Sequence, residues 1–276
     1  MTVNECDGVI LCGGLGKRLQ GIVHDVPKVM AQVDGHPVLE FIIEFLKSQN
    51  IERVVLCTGH KADMVEQYYR RQDCGVTIDF STEHEPLGTG GALKNAREVI
   101  LSDPFFVLNG DSLLSVALQD FLDFHRGKKS LASMLVAEVK DGKDFGSLEI
   151  DENQRVIHFH EKDQGAKKRL VNAGIYCFSQ TIFSCMPKTK KFSLENDFFP
   201  SLIGKQFYGY CTDQEFVDIG TPERYASAKQ KLQFKPLKIR LLSVIYNVKK
   251  NIKHIRIPLF LLRIFIKCIT NLLSTF

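Results

Sequence analysis

The sequence predicts an α/β protein, a largely parallel sheet with helices on both faces, followed by an amphipathic helical tail. Three observations lead there. Short apolar runs of strand length alternate with amphipathic stretches of helix length. The first of these runs opens into a turn with three glycines in four residues, Gly13-Gly14-Leu15-Gly16. The charge is divided unevenly: residues 234–276 hold nine Lys or Arg and no Asp or Glu, whereas residues 1–233 hold 27 basic and 32 acidic side chains. The chain is therefore read as a body, 1–233, and a tail, 234–276, with different partners.

The body is read in order. Strands are expected at Gly8–Cys12, Arg53–Thr58, Val76–Phe80, Phe105–Asn109, Leu131–Val139 and Gly174–Phe178. Helices are expected at Val38–Gln49, Ala62–Arg70, Gly91–Leu101, Val116–His125 and Pro222–Leu232. In the first helix Leu39, Ile42, Ile43 and Leu46 recur at i, i+3, i+4 and i+7, which makes one apolar face. Between Leu131 and Phe178 the runs Ser147–Ile150 and Val156–Phe159 lack helical spacers, so an inserted antiparallel portion is expected to wall one side of a site. Hydrophobic residues make up 44% of the 276-residue chain and charged residues 25%, which excludes wholesale disorder. Eight cysteines with no CxxC pair argue against a zinc site or a disulfide framework. The opening MTVNECDGVILCGG has no basic n-region, so a secretory signal is not expected and the body is read as cytoplasmic.

Parallel sheets bind ligands beyond the carboxyl ends of their strands, so the loops there carry the chemistry. Gly13, Gly14 and Gly16 let backbone N–H groups converge on an anion. The loop is neither a P-loop, since Leu11 and Arg18 stand where Gly and Ser or Thr are required, nor a dinucleotide fingerprint, since Leu19 replaces the third glycine. Lys28 follows Pro27, which stiffens the backbone that carries its ammonium. Asp111 follows the apolar run Phe105–Asn109, and Asp218 follows Phe216-Val217 in the same way; two strand-end carboxylates suggest one shared Mg²⁺. Thr221-Pro222 already supplies a helix cap, which leaves Asp218 for another role. The second glycine loop, Glu85-Pro86-Leu87-Gly88-Thr89-Gly90-Gly91-Ala92, would let a flat base lie against backbone. His158 and His160 share a face of one strand and are assigned nothing.

These pieces together resemble the sugar-1-phosphate nucleotidylyltransferases. The resemblance rests on LCGGLGKRL at 11–19, PK at 27–28, EPLGTGGA at 85–92, LNGD at 108–111, EK at 161–162, NAGIY at 172–176 and DIGTPE at 218–223. It covers residues 8 to about 232 and implies a Rossmann-like core of the GT-A type. The implied reaction is attack by a sugar 1-phosphate oxygen on the α-phosphorus of a nucleoside triphosphate, with release of pyrophosphate. It implies catalytic roles for Arg18, Lys28 and Asp111, and nucleotide contacts from Leu11, Gly13, Gly14, Gly16, Lys17, Glu85, Pro86, Gly88, Thr89 and Gly110. Sugar phosphate contacts would come from Glu161, Lys162, Asn172 and Gly174, and Mg²⁺ would be held by Asp111 and Asp218. The phrase EPLGTGGALKNA is similar to the branch that transfers guanylyl groups to D-glycero-α-D-manno-heptose 1-phosphate. The shorter PLGT run also occurs in the mannose 1-phosphate branch, so GTP is the better-supported half of the assignment. Lys17, Val29 and Asp163 depart from the family's common Thr, Pro and Pro, which bears on the sugar more than on the reaction class. The rival classes are UTP, CTP or dTTP enzymes of the same family, a sugar-nucleotide-binding regulatory subunit and a glycosyltransferase. The retention of Arg18, Lys28, Asp111 and Asp218 argues against a regulatory subunit. A loop built for a triphosphate tail argues against a glycosyltransferase.

In the tail, Leu241, Ile245, Val248, Ile252, Ile255, Leu259, Leu262, Ile266, Ile269 and Leu273 recur at helical spacing beside a stripe of Lys249, Lys253, Arg256, Arg263 and Lys267. A basic amphipathic helix over 241–273, lying on the inner face of an anionic cytoplasmic membrane, is the favoured reading. Packing or dimerisation ranks second. A span ranks third, because Arg263 and Lys267 would each cost about 2.5–3.5 kcal/mol near its centre. The tail lacks the interleaved polar residues that read bases, so no nucleic-acid partner is expected.

Overall fold

The parallel core forms where the near-continuous apolar runs predict it. In the computed structural model, Gly8–Leu11 (β1), Arg53–Thr58 (β2), Thr77–Thr82 (β3) and Phe105–Asn109 (β4) lie parallel in the order β3-β2-β1-β4. Leu11 stands beside Cys57 on one side and Asn109 on the other, so these strands end level along one edge. The structure describes residues 1–19, 21–139, 147–160, 169–214 and 216–234, without the side chains of Lys17, His160 and Arg169. The expected substrate residues Glu161 and Lys162, and the tail beyond residue 234, lie outside the described residues.

Beyond β4 the sheet changes direction. Ser112–Leu114 (β5) leaves it, and Ala132–Val139 (β6), Ser147–Ile150 (β7), Val156–His160 (β8), Arg169–Phe178 (β9) and Phe207–Thr212 (β10) extend it. Strand β9 runs antiparallel to β4, β6 and β7, and β8 runs antiparallel to β7, as expected of the inserted portion. Strand β10 pairs parallel with β6. Phe216–Asp218 (β11) forms a separate antiparallel ribbon with β5, with Asp218 opposite Ser112. Strand β9 begins five residues earlier than its apolar run suggests. A bulge between Asn172 and Tyr176, with Gly174 at φ +73°, carries the pairing through a break in the pattern.

Helices Val38–Ser48 (α1), Ala62–Tyr69 (α2), Gly88–Asn95 (α3), Leu118–Gly127 (α4) and Pro222–Lys231 (α5) cover the two faces. One face packs Leu39, Ile42 and Leu46 of α1 and Phe121 of α4 on Ile10, Leu56 and Phe106. The other packs Leu93 of α3 and an aromatic slab of Phe105, Tyr176, Phe178, Phe198, Phe199 and Phe207. Phe159 of β8 stacks on Phe207 at 6.0 Å, so the strand turns its aromatic side inward and leaves His158 exposed. Each fully buried Phe contributes about 1.5–3 kcal/mol. Helix α5 starts as its sequence dictates, with the Thr221 hydroxyl accepting the Arg224 N–H and Pro222 in the first turn. Among the described residues, no helix is long and apolar enough to cross a membrane.

Candidate active site

Three strand ends build the site. The loop after β1, the Asn109-Gly110-Asp111 turn after β4 and Glu83 after β3 surround a cavity of about 600 Å³. Its walls include Leu11, Gly13, Gly14, Gly16, Arg18, Lys28, Pro86, Gly88, Thr89, Gly110 and Asp111. These residues come from three separate stretches of chain, and the level ending of β1 and β4 brings the first and last of them together. The Gly110 N–H donates to Leu11 O at 3.1 Å and ties the two turns to each other. Lys28 Nζ donates to Asp111 Oδ2, with the Lys28 side chain only 13% exposed. An ammonium held this deeply in one place is available to developing phosphoryl charge without reorganisation. Arg18 stands in the turn Lys17–Leu19, exposed at the cavity wall.

The base end differs from the reading of the sequence in one residue. Glu85 is exposed and does not line this cavity; it borders a separate depression with Lys94 and Lys190. Glu83 enters the cavity instead. Its Oε2 accepts the Leu87 N–H at 3.0 Å, and a methyl group at Gly13 or Gly59 would come within 2.3 or 2.2 Å of its Oε1. Burial pushes the Glu83 carboxyl above its ordinary value, against the pull of the Leu87 N–H. The run Ser81-Thr82-Glu83-His84-Glu85 offers two carboxylates two residues apart, and the sequence pattern does not say where β3 stops.

The second glycine loop is also built differently. Helix α3 begins at Gly88, not at Gly91, and ends at Asn95. The Gly90 and Gly91 N–H groups donate to Phe192 O at 3.0 and 3.2 Å. A Cβ on Gly90 would meet the Phe192 ring at 2.2 Å, and one on Gly91 would meet Lys190 O at 2.2 Å. These two glycines admit the chain's own segment 190–195. Thr89 lines the cavity, but its hydroxyl donates to Glu195 Oε2 at 2.8 Å and accepts the Leu194 N–H at 2.8 Å. Lys191 and Glu195 reach the cavity wall from this segment and were not singled out in the sequence. The cationic run ending at Lys191, just before a Ser193-capped turn, is the signal that could have found them.

At the far end the expected residues are near each other but engaged. The Asp218 carboxylate is not free: Oδ1 accepts from Arg224 at 2.8 Å and from the Gly220 N–H at 2.9 Å. It does not line the cavity, but the Ile219 N–H donates to Asp111 O at 3.0 Å, which ties the end of β11 to the turn that carries Asp111. Asn172 donates to the Tyr176 hydroxyl at 2.7 Å and accepts the Gly174 N–H at 2.9 Å. Gly174 packs on the Asn109 side chain, where a Cβ would approach Nδ2 to 2.9 Å. Asn172 and Gly174 therefore brace the turn that carries Asp111.

Residues 7–234 match the family described as Nucleotidyl transferase. The chain belongs to that family. It is 38% identical over 228 residues to a D-glycero-α-D-manno-heptose 1-phosphate guanylyltransferase from Aneurinibacillus thermoaerophilus, covering 82% of this chain and 98% of that protein. It is 33% identical over 229 residues to a mannose-1-phosphate guanylyltransferase from Mycobacterium tuberculosis, covering 82% of this chain and 64% of that protein. Among solved structures it is similar to HddC from Yersinia pseudotuberculosis complexed with GMP-PN, with a TM-score of 0.75 and 36% identity over 83% of this chain and 100% of that one. The family membership and the fold expected from the motifs stand.

Proposed function

We propose that this chain transfers GMP from GTP to a sugar 1-phosphate and releases pyrophosphate. D-glycero-α-D-manno-heptose 1-phosphate is the first acceptor and mannose 1-phosphate the second, following the relatives. The observation that carries the reading is one cavity in which the glycine loop, Arg18 and the Lys28–Asp111 pair share walls with the Glu83 carboxylate. Guanine presents two adjacent donors, N1–H and N2–H, and an ionised carboxylate presents two acceptors to meet them. Arg18 and the loop amides hold the departing pyrophosphate, and Lys28 answers charge at the α-phosphorus. The attacking phosphate is already ionised, so the reaction requires no general base.

Mg²⁺ fits the residues present. Asp111 and Asp218 are hard oxygen donors joined through the Ile219 N–H bond to Asp111 O, and Mg²⁺ would replace the Lys28 and Arg224 cations that pair with them. Among the described residues no three metal-ligating side chains converge, which leaves phosphate oxygens and water to complete a hard cation's shell. When bound, the ion would screen the repulsion between the nucleotide and the acceptor phosphate. The activity belongs in the cytoplasm as a step toward surface polysaccharide, with the tail at the membrane's inner face. Flotation of the full chain and of residues 1–233 with anionic liposomes checks the last point: only the full chain should float, and equal behaviour of the two removes the tail from the membrane.

The reaction is tested by pyrophosphate release with Mg²⁺, GTP and either sugar 1-phosphate, with UTP, CTP and dTTP in parallel. Release confined to GTP is the expected result. Release with another base and not with GTP overturns the guanine assignment, and none with any pair overturns the activity.

A further inference from the structure

Glu195 has no assigned role, yet it brings a third carboxylate into the cavity, after Glu83 and Asp111. Its placement is closely determined. Oε2 accepts from the Thr89 hydroxyl at 2.8 Å and from the Ser193 hydroxyl at 2.9 Å. Its own N–H donates to Ser193 Oγ at 3.2 Å. Oε1 has no hydrogen-bond partner among the described residues, and the residue is half-buried. One carboxylate oxygen is thus clamped, and the other is left for a donor from the cavity.

Its position separates it from Glu83. Glu195 and Asp111 both exert charge on the buried Tyr176 hydroxyl, whose hydrogen-bond neighbours are Asn172 and Asn109. Glu195 shares the cavity wall with Asn109 and Asp111, next to the buried Tyr176, whereas Glu83 packs on Gly13 and Gly59. A fixed anion repels a polyphosphate, so its free oxygen is matched by a neutral donor. With the nucleotide's base held at Glu83, the neutral donors are the hydroxyl groups of the ribose and of the acceptor, and only a bond to the acceptor would raise KM for the sugar 1-phosphate alone.

We infer that Glu195 is a specificity-determining residue for the acceptor: its free carboxylate oxygen accepts a hydrogen bond from a sugar hydroxyl, while Thr89 and Ser193 hold it in place. The inference rests on the guanylyltransferase reading above. It also gives Thr89 a different function from the nucleotide contact expected of it, since its hydroxyl orients the acceptor wall from within the second glycine loop.

The test uses the full-length chain with GTP, Mg²⁺ and each of the two sugar 1-phosphates. Glu195→Gln keeps the shape and the bonds from Thr89 and Ser193 but removes the charge. It should raise KM for the sugar 1-phosphate about tenfold or more, the range of a hydrogen bond to a charged acceptor, with KM for GTP within about twofold. Thr89→Val, which leaves the carboxylate but releases it, should move KM in the same direction by less. A panel of monodeoxy mannose 1-phosphates then locates the bond: one deoxy position should weaken the wild type strongly and Glu195→Gln scarcely at all. Calorimetric titration with GTP establishes that each variant is folded. A wild type without turnover sinks the functional reading and this inference with it. Turnover by the wild type with an unchanged sugar KM in Glu195→Gln sinks the role of Glu195 alone. A variant whose KM values for both substrates rise together overturns it in favour of a structural role, and one whose main change is a higher Mg²⁺ requirement overturns it in favour of a metal ligand.

Discussion

The two glycine-rich loops carry the same signal in the sequence and have opposite surroundings. Around Gly14 nothing lies within 4 Å of where a Cβ would stand, and the space belongs to the cavity. Around Gly90 the same volume is taken by the Phe192 ring, 2.2 Å from a Cβ. At Gly14 the first loop lacks a side chain so that a ligand can approach backbone, while Gly13 makes room for Glu83. The second lacks them so that another segment of the chain can, and that segment brings Lys191 and Glu195 to the cavity. A glycine in a sequence reports a close approach without saying what approaches.

The comparison can be broken or sharpened in solution. The largest effect is expected at the turn after β4, which the Gly110 N–H ties to the foot of the first loop. Asp111→Asn should lower turnover on the order of 100-fold or more, read as pyrophosphate release, because it removes a preorganised charge beside Lys28; a loss below about tenfold would take Asp111 out of the chemistry. Next comes the glycine pair itself. Gly90→Ala should cost about 1–3 kcal/mol of stability through overpacking against Phe192, whereas Gly14→Ala should change stability by less than about 0.5 kcal/mol and raise KM for GTP. Thermal melts and steady-state kinetics on both variants read this, and a reversal of the pattern would undo the distinction drawn here.

Glu83 sharpens it further, since it sits against the first loop. Glu83→Gln should raise KM for GTP about tenfold through loss of a charge-assisted bond and narrow the preference over UTP, whose ring offers one donor beside an acceptor. Its carboxyl is raised by burial, so in the wild type KM for GTP should climb as pH falls through that raised value, and the climb should vanish in the variant. Equal pH profiles for the two proteins would remove Glu83 from base recognition.

The smallest effect lies away from both loops. His125 is buried between Ser133 and Ser179, and burial pushes its pKa down to about 4 despite the opposing charge of Asp103. The unfolded chain binds this proton below about pH 6.5 while the folded one does not. Stability is therefore lost as pH falls, by about 1.4 kcal/mol at pH 5.5 from this group alone. Denaturant titrations of His125→Asn at pH 7.5 and 5.5 should show a shallower decline than the wild type, with KM for GTP unmoved. An identical decline would place the acid sensitivity elsewhere.

Much of the fold was legible because its signals are local. The strands Arg53–Thr58 and Phe105–Asn109 were read to the residue, since each is a continuous apolar run buried on both faces. Strand β10, Phe207–Thr212, was missed because Gly209 and Cys211 interrupt its alternation and its partner β6 lies some seventy residues earlier in the chain. Helix α3 was placed three residues late because its glycines read as a loop. They become helical only when Phe192 O receives the N–H groups of Gly90 and Gly91.

The same boundary runs through the site. Residue chemistry pointed to anion and Mg²⁺ binding at a glycine turn, Lys28, Asp111 and Asp218, and the reaction class came from the family that the ordered motifs resemble. Packing decided which of several equivalent side chains face the ligand. Glu83 and Glu85 are alike in the sequence, and the end of β3 selects the first. Asp218 looked free beside a completed helix cap, but Arg224, one turn into α5, engages its carboxylate. Thr89 lines the cavity as expected, but its hydroxyl is turned to Glu195, more than a hundred residues away. The physical reason is range. Strand and helix periodicity and side-chain chemistry act over a few residues, whereas the direction a carboxylate faces depends on whichever distant segment reaches it first with a donor.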